Sequence, residues 1–71
     1  MDEWLRGAAE AAGGGIELDD EQERLLLKLA KLAAHDSGDR TNAPLLCYLV
    51  GRLQGDRPLD EVVEAVVRSR S

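Results

Sequence analysis

The sequence contains no phenylalanine, one tryptophan, one tyrosine and a single cysteine among its 71 residues. The lone cysteine, Cys47, excludes an internal disulfide and fits a reducing compartment. Apolar runs stay well below the ~20 residues of a membrane-spanning helix. The acidic N-terminus also lacks the basic start and apolar core of a signal peptide. We therefore expect a cytoplasmic protein with no membrane partner.

Basic residues are also in the minority, with nine against fourteen acidic ones and a net charge of −5. The excess acid belongs to residues 1–23, which carry eight acids and one base, whereas residues 24–71 carry six acids and eight bases. Nucleic-acid binding depends on clustered Lys and Arg that neutralise phosphates. An acidic chain is poorly suited to that task, so we expect no nucleic-acid partner.

What the sequence has in abundance is leucine, valine and alanine at helical spacing. Seventy-one residues allow one domain with one core. Apolar residues recur every three or four positions in four segments, and no alternating strand pattern occurs. The spacing predicts an all-α fold, a compact bundle of about four short helices in a single domain, 1–71. The predicted helices span about residues 2–12, 20–35, 43–54 and 58–69, with a glycine-rich linker at 13–17.

The second segment gives the clearest helix signal. Its acidic start offers two possible capping boxes, Asp20 with Glu23 or Asp19 with Gln22, and the sequence leaves both open. Its apolar side chains cover roughly 220° of the helix circumference. We therefore expect this helix at the centre of the bundle, with neighbours on several sides.

The third segment is apolar on nearly every side. One face carries Leu46, Leu49, Val50 and Leu53. The opposite side carries Leu45, Cys47, Tyr48 and Gly51. A helix with so little polar surface is either enclosed by its own chain or meets another chain. Leu45, Tyr48 and Arg52 are therefore the candidates for an apolar interface with a protein partner or a second copy.

No catalytic residue and no metal site is predicted. His35, Asp36 and Ser37 are adjacent along the chain, so they cannot align as a catalytic triad. One histidine and one cysteine fall short of a zinc site, and the acids at 17–23 lack the register of a calcium loop. Cys47 lies in the most apolar helix and is expected to be an inert packing residue. We expect a protein that is not an enzyme and holds no cofactor.

A stripe of basic residues follows one edge of the second helix and continues into the next loop. Its members, the basic edge, are Arg24, Lys28, Lys31, His35 and Arg40. Such an edge could bind a phosphate or an acidic partner surface. The simpler interpretation, which we favour, is a solvated face whose charge is balanced by nearby acids. Those acids are Asp20, Glu21, Asp36 and Asp39.

A series of short motifs runs through the chain in a fixed order. A Leu/Ala-rich helix ends in Ala-His, an Arg follows, and Ala-Pro opens an apolar helix that carries Leu-x-Gly. These motifs are residues 25–35, Arg40, Ala43-Pro44-Leu45 and Leu49-Val50-Gly51, and the opening Trp4-Leu5 also fits. The pattern resembles a small all-helical actinobacterial domain family of unknown function, found alone or appended to molybdenum cofactor guanylyltransferase.

The resemblance implies an accessory role near molybdenum cofactor metabolism. The positions that carry over are His35, Arg40 and Pro44, at the corner between the second and third helices. Our leading hypothesis is a non-enzymatic interaction or accessory module that contacts a protein partner, or a second copy, through the third segment or this corner. The alternative is a domain that binds a small ligand, a nucleotide or phosphate, on the basic edge.

Overall fold

Four α-helices make up the regular structure in the computed structural model, which describes residues 1–70. They are α1 (Glu3–Ala11), α2 (Asp20–Ser37), α3 (Asn42–Gln54) and α4 (Leu59–Arg70). The predicted all-α bundle of four helices is confirmed. No helix in residues 1–70 is long and apolar enough to cross a membrane.

The start of α2 uses one of the two capping boxes that the sequence offers. The Gln22 backbone N–H donates to Asp19 Oδ1 at 2.8 Å, and the Asp19 backbone N–H donates to Gln22 Oε1 at 3.0 Å. Asp19 is therefore the N-cap, and Asp20 is the first helical residue. At the other end, α2 runs to Ser37 instead of the predicted residue 35, because Gly38 (φ 74°) supplies the left-handed conformation that ends a helix.

The core lies where α2 packs against α3 and α4, which also contact each other. Its buried side chains are Leu25, Leu29 and Ala33 from α2, Val50 from α3, and Leu59, Val62 and Val63 from α4. Leu29 and Val63 are fully enclosed, at 0% exposure. Since α2 contributes side chains to both neighbours, it occupies the central position that its wide apolar face indicates.

The side of α3 that enters the core includes residues from both faces that the sequence defines. Val50 is buried and Leu46 is half-buried, but Leu49 and Leu53 of the same face are 53% and 67% exposed. Cys47, from the opposite face, packs against the core. The reason is that α2 and α4 both approach α3 from one side, so only a narrow strip of an all-round apolar helix is covered.

α1 packs against none of the other three helices. Two ion pairs involve this end of the chain: the Arg6 guanidinium pairs with the Glu17 carboxylate in the linker, and the Met1 amine lies 2.8 Å from Glu23 Oε2 on α2. Arg6 and Glu10 are four residues apart on α1 and could pair with each other, but Arg6 pairs with Glu17 instead. α1 then ends in a Schellman turn, in which the Gly14 N–H donates to the Ala9 carbonyl at 2.9 Å.

Candidate functional site

The outer face of α3 is a continuous strip of exposed apolar side chains. We call this strip the α3 stripe, and its members are Leu45, Tyr48, Leu49 and Leu53, which are 53–67% exposed. Leu45, Leu49 and Leu53 follow one another at i,i+4 spacing, and Tyr48 lies three residues after Leu45, so the four share the outer side of the helix. Scattered exposed leucines are normal in small proteins, whereas contiguous exposed apolar side chains are a feature that interaction sites share.

A groove of about 350 Å³ runs beside the α3 stripe, between α3 and the C-terminal ends of α2 and α4. Its apolar walls are Leu32 from α2, Leu45, Leu46 and Leu49 from α3, and Val66 from α4. At its edge, Arg70 Nη1 lies 3.9 Å from Asp36 Oδ2. The α3 stripe therefore borders a depression wide enough to receive one or two large side chains.

The charge on α3 is entirely positive. The helix contains Arg52 and no acidic residue, in a chain whose net charge is −5. The Arg52 guanidinium carbon lies 5.8 Å from the centre of the Tyr48 ring, and Arg52 Nη1 is 3.4 Å from Tyr48 Oη. This cation–π contact covers one ring face and holds a positive charge beside the α3 stripe. The structure thus brings together all three residues of the predicted apolar interface, Leu45, Tyr48 and Arg52.

The basic edge is partly neutralised by neighbouring acids. Arg24 Nη2 lies 2.5 Å from Glu21 Oε2, and this contact raises the pKa of the Arg24 guanidinium. Lys28 Nζ lies 3.4 Å from Glu64 Oε1 on α4. Within residues 1–70, Lys31, His35 and Arg40 form no side-chain hydrogen bond or ion pair. All five side chains are exposed, and none lines the groove.

One protein-family model matches the whole chain, residues 1–71, and its description is "Domain of unknown function (DUF6457)". The chain belongs to this DUF6457 family. No curated protein and no solved structure matches it. Because the match begins at residue 1, α1 and the glycine linker are part of the DUF6457 domain together with the three packed helices.

The corner between α2 and α3 of this DUF6457 domain is held by its own hydrogen bonds. Ser37 Oγ accepts from the Asp39 N–H at 3.1 Å and from Asn42 Nδ2 at 3.0 Å. Asp39 Oδ1 accepts from the backbone and hydroxyl of Thr41, and these bonds lower the pKa of the Asp39 carboxyl. Asn42 is the first residue of α3, and the N-cap residue Thr41 makes no side-chain capping bond.

The three residues that the resemblance assigns to this corner are all exposed. They are His35 on α2, Arg40 in the turn and Pro44 in the first turn of α3. Sequence reasoning missed the polar residues that fix the corner, although the local Ser-x-Asp-x-Thr spacing is the signal that reveals such a turn. The corner is therefore a rigid bend that presents polar side chains, with no enclosed site among them.

Cys47 behaves as a packing residue. Its thiol Sγ lies 3.8 Å from the Leu26 carbonyl oxygen, and burial raises the pKa of the thiol. A raised pKa lowers the thiolate fraction and hence the nucleophilicity. In residues 1–70 there is also no group of three His, Cys, Asp or Glu side chains that could hold a metal ion.

α1 presents a second apolar face that packs against no other helix. None of its residues is among the predicted interface residues. Trp4 is 79% exposed and Leu5 is 37% exposed, and Ala8, Ala11 and Ala12 follow on the same side. Arg6, which pairs with Glu17, lies on the opposite side of the helix. The polar side of α1 is thus attached to its own chain, and the Trp4 side faces solvent. The Trp-Leu pair with alanines at helical spacing is the sequence signal for this face.

Proposed function

We propose that this DUF6457 domain is a non-enzymatic protein-interaction module that binds an apolar helix on the α3 stripe. The observation that carries the proposal is the unbroken row of four large apolar side chains, each more than half exposed, beside an apolar groove. An apolar groove that receives an amphipathic helix is a recurring mode of peptide recognition. The absence of acid on α3 favours a partner helix with acidic residues at its margins.

The free energy available at the α3 stripe constrains the partner. Burying the exposed half of one such side chain is worth about 1 kcal/mol, so four give a gross gain of about 4 kcal/mol. Loss of translational and rotational freedom opposes binding by at least that amount. The partner must therefore bring apolar surface of its own, an aromatic anchor above all, to reach micromolar affinity.

Two exposed leucines provide a matched test of this function. Leu49 lies in the α3 stripe and is 53% exposed, whereas Leu27 lies on α2 outside it and is 71% exposed. Both substitutions, Leu49→Glu and Leu27→Glu, add the same charge without opening the core, and circular dichroism checks that both variants fold. We expect Leu49→Glu to abolish self-association or partner capture and Leu27→Glu to preserve it. Equal behaviour of the two variants would remove the support for an α3 docking surface.

The finer proposal is an accessory role in molybdenum cofactor metabolism, and it rests on the motif resemblance that includes His35, Arg40 and Pro44. Its test is a calorimetric measurement of binding between the purified domain and molybdenum cofactor guanylyltransferase. We expect binding that Leu49→Glu weakens and Leu27→Glu does not. No detectable binding of the wild-type domain would reject this pathway assignment and would leave the docking function to the other tests.

The small-ligand alternative is favoured by one observation: within residues 1–70 the side chains of Lys31, His35 and Arg40 form no hydrogen bond or ion pair. A phosphate seated on the basic edge would shift the amide resonances of these three residues in a titration with nucleotide or inorganic phosphate. The corresponding variant is Lys31→Gln, which keeps the length of the side chain and removes its charge. Shifts spread evenly over the surface, or unaffected by Lys31→Gln, would reject this alternative.

A further inference from the structure

The DUF6457 domain has two apolar faces that no other part of residues 1–70 covers, one on α1 and one on α3, and the two are complementary in shape and charge. The face of α1 has the large anchor, Trp4, on a small helix edged by acids. The α3 stripe has an apolar groove and a positive charge at Arg52. We propose that α1 is an exchange arm: its Trp4 face docks on the α3 stripe of a second copy, while the arm of that copy docks in return. This proposal rests on the proposed docking function and names its partner.

The orientation of α1 argues for a partner outside its own chain. A surface helix normally turns its apolar side toward the core, yet α1 is attached through Arg6, on its polar side, and leaves Trp4 79% exposed. An exposed tryptophan on a helix held in this way is poised for a contact that the single chain does not supply. Tryptophan is also the residue type most enriched among the anchors of protein interfaces.

The ion pairs of α1 favour the groove of a second copy over its own. The Met1 amine pairs with Glu23 in the first turn of α2, and Arg6 pairs with Glu17 in the linker just before α2. The groove lies toward the other end of α2, at Leu32 and Asp36. Nine to thirteen residues of helix separate Glu23 from these positions, or about 14–20 Å at 1.5 Å per residue. Docking on its own groove would require α1 to leave its ion pairs, whereas docking on a second copy allows both to persist.

Charge supports the same pairing. Residues 1–12 contain Asp2, Glu3 and Glu10 against a single base, while α3 contains one base and no acid. An arm on an α3 stripe therefore brings opposite charges together at the margins of an apolar contact, whereas α3 against α3 would place two arginines in one interface. A reciprocal exchange also makes each contact twice. Two tryptophans of about 150–250 Å² each, with two stripes, approach the area of about 1,000 Å² that a specific interface needs.

Trp4 is the only tryptophan, so its fluorescence reports on the arm directly. We expect the emission to shift to shorter wavelength as the wild-type concentration rises from about 1 μM to about 1 mM, in step with a rise from monomer to dimer mass in sedimentation. Dimer mass with Trp4 still in water would overturn the exchange. So would a monomer mass at every concentration, whether Trp4 is exposed or lies on its own chain.

A complementation experiment identifies the two faces that meet. Trp4→Ala removes the arm anchor, and Leu49→Glu blocks the stripe. A dimer of either variant carries its substitution at both contacts, so each variant alone should dimerise about a thousandfold more weakly than wild type, the loss expected for two interface anchors worth about 2 kcal/mol each. In an equal mixture the intact arm of the Leu49→Glu copy meets the intact stripe of the Trp4→Ala copy. We expect a heterodimer, and since only one copy then contains tryptophan, its blue shift reports that single contact.

The control is Ile16→Ala, which removes an equally exposed apolar side chain, 75% exposed, from the linker and should leave dimerisation unchanged. Because α1 contacts no other helix, Trp4→Ala leaves the three-helix core intact, and circular dichroism verifies this. A Trp4→Ala variant that dimerises like wild type while Leu49→Glu does not would overturn the arm exchange and keep the docking function. If Trp4→Ala and Leu49→Glu both associate as wild type does, the arm exchange and the docking function on the α3 stripe both fail.

Discussion

Leu29→Ala tests the packing on which the whole fold depends. Leu29 lies near the middle of α2, is fully enclosed and belongs to the core that α2 shares with α3 and α4. Truncating a buried leucine to alanine costs about 2–5 kcal/mol, from lost burial and from the cavity left behind. A domain of 71 residues has a total stability of about 4–11 kcal/mol. We therefore expect Leu29→Ala to remove roughly half of the stability, measured by urea unfolding at the helical circular-dichroism band.

Leu27→Ala is the matched control for that experiment. It makes the same chemical change two residues away on the same helix, but Leu27 is 71% exposed. Intrinsic helix preference changes equally in both variants, so the difference between them isolates burial. We expect Leu27→Ala to change the unfolding free energy by less than about 0.5 kcal/mol. Similar losses for the two variants would refute the central position of α2.

Three further predictions concern the ends and the attachment of the helices. Gly38→Ala should destabilise the domain by about 1–2 kcal/mol, because the backbone at Gly38 is left-handed, with φ 74°. Gly51→Ala should instead stabilise it by about 0.5–1 kcal/mol, because Gly51 lies inside α3 and nothing is near the added methyl group. Urea midpoints of the two variants that move in the same direction contradict this prediction. Asp19→Ala should cost about 0.5–2 kcal/mol through loss of the N-cap, and Asp20→Ala clearly less, and the reverse order would assign the cap to Asp20. The hydrogen bond from Arg6 lowers the pKa of the Glu17 carboxyl, so the ion pair stabilises α1 fully above the usual pKa of about 4.3 and is lost as pH falls through the lowered value. Amide protection factors in α1, corrected for the pH dependence of intrinsic exchange, should therefore fall between about pH 5 and about pH 2, on either side of the usual pKa. Protection factors that stay constant over this range contradict the attachment.

The packed half of the fold follows from the sequence because local signals and tertiary contacts agree there. The valines of α4 recur at helical spacing, and Val62 and Val63 are buried as that spacing indicates. α2 is apolar over most of its circumference and does contact two neighbours. The N-cap residue of α2 could be assigned only from the structure, since Asp19 and Asp20 both satisfy the capping pattern and only side-chain geometry distinguishes them.

The orientation of α3 could not be read from its sequence. A helix with leucines on every side gives no periodic signal for the buried face, so the packing of α2 and α4 decides that Val50 is enclosed and Leu53 is not. Leu45 and Tyr48 could be predicted as interface residues because α3 has so little polar surface. The ion pair between Arg6 and Glu17 was beyond prediction, since it depends on how three consecutive glycines turn the chain.

The most direct test of the arm exchange on the α3 stripe is a nuclear Overhauser experiment on a mixed sample of two isotopically distinct copies. Filtering selects only contacts between copies, at a concentration where dimer dominates. The account predicts cross-peaks from the Trp4 indole ring of one copy to the Leu49 methyl groups of the other. Cross-peaks between these two residues that appear only within one copy, or a Leu49 side chain that contacts no second chain, would contradict it.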